Sequence, residues 1–205
     1  DPIGFEAGDG NLYRYVGNQP TTLTDPSGLE SRTIKIYYYF HDGRIRFDKK
    51  VSEEIRRILQ DAAGRFGEVG TTIKVVATEC STMEECDKIP MGPYDGGAFD
   101  FTNDGIVIKI RLNDKLKGLK GGVVGQGSRF KGSISPTLVL RAVREINKPI
   151  HNILAAAIVH EGLFHGCKIG HFSQRGFIDS EIPNVGGALS DEAAKLIMEK
   201  LEAAR

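Results

Sequence analysis

The sequence predicts an α+β domain: a mixed β-sheet with a helix behind it, a central helix that is apolar nearly all round, and a C-terminal helix. Three observations carry this expectation. Residues 32–78 run in the order strand, helix, strand, which favours parallel neighbours in one sheet. Residues 105–113 alternate with period two, as a strand with one wetter face does. The last third of the chain holds two helical patterns, one of them apolar around its whole circumference and therefore suited to a core. With 205 residues, 40% of them apolar, the chain is long enough for one main core.

The elements follow in order. Residues 1–29, DPIGFEAGDGNLYRYVGNQPTTLTDPSGL, are rich in Gly, Pro, Asn and Asp, with one alternating aromatic patch at Leu12, Tyr13, Tyr15 and Val16. They predict short strand–turn units that bury little apolar surface alone and need a partner. A domain of ordinary composition, 30–205, follows. RTIKIYYYF, 32–40, is a strand by its β-branched and aromatic content. In VSEEIRRILQDAAGRFG, Ile55, Ile58, Leu59, Ala62, Ala63 and Phe66 fall on one helical stripe, with Ser52 as the expected N-cap and acidic residues in the first turn. TTIKVVAT, 71–78, is the second strand, and 79–104 is a turn-rich connection. In GIVIKIRLN, Ile106, Ile108 and Ile110 alternate with Val107, Lys109 and Arg111, which predicts a strand at an edge of the sheet.

Residues 117–135 are glycine-rich and read as a flexible loop; no phosphate-cradling GxGxxG or GxxxxGK pattern follows a strand. TLVLRAVREI, 137–146, fits a helix or a strand. KPIHNILAAAIVHEGLFHG then predicts the core helix, capped by Asn147 with Pro149 in its first turn. SDEAAKLIMEKLEAA, 190–204, predicts the last helix, with Ser190 as N-cap and Ala194, Ile197, Met198 and Leu201 as the buried stripe.

Composition narrows the function. Lys plus Arg equal Asp plus Glu at 27 each, so no net positive field draws the chain to nucleic acid. KLKGLK, 115–120, is too short a basic run to change this. The longest apolar run, ILAAAIV, cannot span a bilayer. The chain opens on Asp1 without a signal peptide, which predicts a piece of a longer polypeptide with export signals upstream. Of three cysteines, Cys80 and Cys86 flank STMEE; one disulfide and two loop thiols both suit that spacing, which is a poor zinc pattern. Cys167 reads as a packing thiol.

The chemistry concentrates in AAAIVHEGLFHGCKIGH, 155–171, which gathers His160, Glu161, His165 and His171. In an HExxH helix, histidines four apart stack one turn above each other and bind one zinc, and the glutamate polarises the attacking water. Here His160 and His165 are five apart, so an ideal helix rotates them ~140° from one another. A one-residue π-bulge brings them back, and Gly162 and Gly166 ease that distortion. Glu161 and His165, four apart, share a face without any bulge. Glu181 is the alternative third ligand, Asp179 a weaker one, and either also suits orienting a histidine. His151 reads as a helix-end residue and His41 as a loop residue.

HEGLFH resembles the HExxxH variant of zincin peptidases found in the dipeptidyl peptidase III family. The six-residue step from His165 to His171 is similar to that of metzincins, HExxHxxGxxH. The family glycine position is Lys168, flanked by Gly166 and Gly170, and the stretch 178–190 holds no methionine where metzincins carry their Met turn; Met198 comes too late. The resemblance implies a zincin-like fold over 31–205, zinc as cofactor, His160, His165 and His171 as ligands, Glu161 as general base and a protein or peptide as substrate. Separately, DPIGF, NLYRYVGNQP and DPSGL resemble in order and spacing the end of the core of RHS/YD-repeat proteins. That resemblance implies an upstream RHS β-shell, processing after Leu29, and a toxin domain from Glu30 that is secreted or delivered into a target cell, with an immunity protein as a further partner. Asp25 matches an aspartate of the self-cleavage element there, and equally suits an Asp–Pro turn. Two other classes stay open from the residues: a metal-dependent hydrolase of another substrate, such as a nuclease, and an inactive zincin-like binding domain.

Overall fold

The computed structural model describes residues 31–66, 70–89, 106–114, 125–128, 131–165, 178 and 188–202. Their strands are β1 (Ser31–Tyr39), β2 (Thr72–Glu79), β3 (Ile106–Leu112), β4 (Gly125–Ser128) and β5 (Lys131–Ile134). They form one mixed sheet in the order β2-β1-β3-β5-β4. The first four in that order run parallel, and β4 pairs antiparallel with β5. The helices are α1 (Lys49–Phe66), α2 (Met83–Lys88), α3 (Pro136–Ile146), α4 (Ile150–Ile158) and α5 (Asp191–Glu202), with a π-helical segment, Val159–Phe164, continuing α4. The domain is therefore mixed α and β, as the alternation of patterns predicts. Residues 1–30, with the predicted tail and its Asp25, lie outside the described residues.

Register explains the core. Ile36 pairs with Ile108 and Tyr38 with Ile110, so one face of the sheet carries a continuous apolar row. That row packs in one cluster with Ile55, Ile58 and Leu59 of α1, Leu154 and Ile158 of α4, and Ala194 and Ile197 of α5. Each such isoleucine or leucine contributes roughly 1.5–3 kcal/mol by leaving water. The alternate row holds Tyr37 beside Lys109 and Tyr39 beside Arg111. Lys109 is buried, and its Nζ donates to the Asp87 carbonyl of α2 at 3.0 Å.

Several expectations are corrected. β3 is an interior strand between β1 and β5: the row that carries Lys109 and Arg111 marks one face of the sheet, not an edge. The stretch read as a loop contains β4 and β5, and the turn-rich connection contains α2. Ser52 lies inside α1; Asp48 makes the capping bond, its Oδ1 accepting from Val51 N at 3.1 Å. Phe66 leaves the buried stripe, 38% exposed, with the Arg65 guanidinium over its ring. The ambiguous 137–146 stretch is helical because Ser135 Oγ accepts from Leu138 N and Pro136 stands in the first turn. Asn147 closes α3 in a left-handed conformation, φ 53°, rather than opening α4, and Pro149 takes the N-cap of α4. Ser190 caps α5 as expected, its Oγ accepting from Ala193 N at 3.2 Å.

Cys80 and Cys86 form a disulfide, both buried, that ties α2 to the end of β2. Closing so short a loop contributes about 2 kcal/mol through the unfolded chain. Reduction is expected to lower the urea-unfolding midpoint correspondingly, and an unmoved midpoint after full thiol release would contradict this. No helix among the described residues is long and apolar enough to cross a membrane.

Candidate metal centre

Helix α4 delivers the site. Its residues Ile153–Ile158 are all buried, and it is pinned to α1 by a hydrogen bond between the side chains of Asn152 and Glu54. Glu54 accepts in turn from both Arg57 Nε and Nη2, at 2.9 and 2.8 Å, and this bonding holds its carboxyl below the usual range. At Val159 the helix widens. His165 N donates to the His160 carbonyl at 3.1 Å, an i→i+5 bond that closes a turn one residue larger than an α-turn. The distortion that the five-residue spacing demands is thus present between the two histidines.

Gly162 has a different role from the one expected of it. Among the described glycines only Gly70 has a positive φ, so Gly162 is not used for backbone freedom. Instead it lies on β3: a Cβ there would fall 2.4 Å from Ile108 Cγ2 and 2.9 Å from Ile110 Cδ1. The absence of a side chain lets the wide turn sit directly on the sheet.

The π turn brings His160, Glu161 and His165 together. One donor atom from each lies within 4.8 Å of the others, and the two imidazole rings stand perpendicular with centroids 4.7 Å apart. The His160 Nδ1 hydrogen-bonds the Ile178 carbonyl. A carbonyl only accepts, so Nδ1 carries the proton and Nε2 is left with the lone pair a metal needs. Ile178 is itself fixed, fully buried, with its N donating to the Ala188 carbonyl at 2.9 Å. Glu161 is 2% exposed, and its Oε2, 3.8 Å from His165 Nε2, has no hydrogen-bond partner among the described residues. Burial alone raises its pKa to about 8. A buried carboxylate without a donor is costly unless a cation or water satisfies it. Two imidazoles, one in the ligating tautomer, beside a buried carboxylate oxygen with no partner among the described residues form a donor set that fits zinc.

No family model and no curated relative matches the chain. Among solved structures it is similar to archaemetzincin from Methanopyrus kandleri. That likeness covers 88% of this chain and 99% of the other, at 19% identity and a TM-score of 0.48.

Of the residues singled out from sequence, His160, Glu161 and His165 converge. His171, Asp179, Glu181, Cys167 and Gly166 lie outside the described residues. His151, half-buried, is the second residue of α4, an end position as expected. His41 follows β1, exposed and stacked on Tyr39. One contributor had no functional signal in the sequence: the Ile178 carbonyl is a main-chain group that any residue supplies.

Proposed function

We propose that this chain carries a zincin-like, zinc-dependent endopeptidase, with His160, His165 and His171 as ligands, Glu181 as the alternative third ligand, and Glu161 as general base. The observation that carries the reading is the π turn, which sets two imidazoles and a buried carboxylate within 4.8 Å despite their unusual spacing. When bound, zinc supplies Lewis acidity toward a peptide carbonyl and a water. Glu161 accepts the proton of the attacking water and passes it to the leaving amine. His160, held through Nδ1, keeps its other nitrogen on the metal side. His165, with about a quarter of its side chain exposed, marks the side from which a substrate reaches the pair.

Substrate pairing by edge-strand addition falls to β4. Among the described strands β4 ends the sheet order, and it packs beside the π turn, so an extended peptide that adds to its outer side runs past Glu161. The motifs DPIGF, NLYRYVGNQP and DPSGL support a wider setting: the effector domain of an RHS-type polymorphic toxin, carried by an upstream shell, delivered into a target cell and countered by an immunity protein.

Elemental analysis of the full chain tests the centre. Stoichiometric zinc is expected in the wild type and its loss in H160A and H165A. Loss in H171A assigns the third ligand, whereas retained zinc there with loss in E181A moves the assignment to Glu181. Stoichiometric zinc in H160A would end the reading.

A further inference from the structure

We infer that Gly132 of β5 is a positioning residue for the metal centre: its lack of a side chain sets how deeply the π turn rests on the sheet, and so where Glu161 stands between the two histidines. The inference rests on the proposed reading of His160, Glu161 and His165 as that centre.

Gly132 is buried and pairs with Ile110 across the β3–β5 ladder. A Cβ at this position would lie 2.7 Å from Ile110 Cδ1, 3.1 Å from Glu161 Cβ and 3.4 Å from the Glu161 carbonyl carbon. These contacts differ in kind. Ile110 Cδ1 is the end of a flexible side chain and can turn aside. Glu161 Cβ belongs to the helix and gives the few tenths of an ångström that its contact demands only if the turn lifts, while the carbonyl carbon would sit at ordinary van der Waals distance.

Lifting is not local to Glu161. The bond from His165 N to the His160 carbonyl spans it, so a displaced Glu161 changes the relation of the two imidazoles as well as the place of its own carboxylate. Nor has the turn another way down, because Gly162, the next residue, is already packed against Ile108 and Ile110. Residue 161 rests over β5 and residue 162 over β3. Glycine weakens a strand interior, and its use there marks a close approach of another backbone. Here the approaching backbone is the one that carries the candidate base and follows the first candidate ligand.

A glycine that only fills a packing need would affect stability alone, and the two Cβ contacts allow this to be separated. In the full chain, three variants are compared with wild type: G132A, I110V and I110V/G132A. I110V removes the Cδ1 responsible for the shorter contact and leaves the Glu161 contact in place. Zinc affinity is read by competition with a chromophoric chelator, coordination geometry by the visible spectrum of the cobalt(II)-loaded protein, and stability by thermal unfolding without metal. G132A is expected to unfold at lower temperature. The double variant recovers most of that loss, yet binds zinc about 10–100-fold more weakly than I110V, the range of orienting contacts around metal ligands, and shifts the cobalt bands. A double variant with the affinity and cobalt spectrum of I110V would overturn the inference and leave Gly132 as a packing residue. Wild-type protein that binds neither zinc nor cobalt would instead remove the metal-centre reading, and this inference with it.

Discussion

Glu161→Gln will leave zinc bound and lower peptide hydrolysis by about 10²–10⁴-fold, the usual contribution of a positioned general base. The amide keeps the shape of the carboxylate and its place on the π turn but cannot accept a proton. The effect should fall on turnover, because the imidazoles of His160 and His165 are untouched. Zinc content and hydrolysis of an unstructured protein such as casein, measured on the same preparation, check both halves. Full activity in E161Q would remove Glu161 as the base. Zinc lost together with activity would show that Glu161 is itself a ligand, an arrangement its 4.8 Å grouping with both histidines also allows.

The same variant should show a large and opposite effect on the metal-free protein. Burial raises the Glu161 pKa from 4.5 to about 8. Between those values the unfolded chain has released this proton while the folded chain still holds it. The unfolded state therefore binds fewer protons, and stability falls as pH rises through that window. Below about 4.5 both states are protonated and Glu161 costs nothing by ionising; above about 8 the loss is complete and constant. Each pKa unit is worth about 1.4 kcal/mol, so the full change is on the order of 5 kcal/mol. Glutamine does not titrate. The difference in unfolding free energy between E161Q and wild type, both stripped of metal, is expected to grow in favour of E161Q from pH 4.5 to 8 and then level off. Taking the difference cancels Glu54 and Asp114, whose pKa values are lowered in the fold. Saturating zinc should shrink the gap, because a dication favours the ionised carboxylate. A gap that stays flat across this range in metal-free protein would mean that Glu161 is solvated in solution.

The parts of this protein that sequence reveals are those written in side-chain periodicity. Ile55, Ile58, Leu59, Ala62 and Ala63 mark the buried face of α1, and Ala194, Ile197 and Met198 that of α5. The five-residue interval between His160 and His165 can serve one site only through a widened turn, so the π segment is legible in the sequence. Strand order was not. Period-two alternation in Ile106–Leu112 reports which side chains share a face, and it is silent on which strands lie to either side. β4 and β5 were hidden because GQGS and KGSI offer almost no β-branched or aromatic content. What makes them strands is pairing with each other and with β3. The start of α3 was marked by Ser135 followed by Pro136, a local signal available in the sequence. The hold on His160 was not, since it comes from a carbonyl eighteen residues away.

The π turn also has a genetic consequence. An i→i+5 turn is an α-turn with one residue added, so a single in-frame triplet separates this site from the regular four-residue interval. Losing one codon between His160 and His165 would restore that interval and leave the residues downstream on the helix faces they hold now, because the widened turn already absorbs the added residue. His165 would still face His160. Gly162, whose missing side chain accommodates Ile108 and Ile110, would no longer be matched to β3 unless the lost codon lay beyond it. Codons 163 and 164 are therefore where such a deletion would do least harm to the pair, and codons 161 and 162 where it would do most.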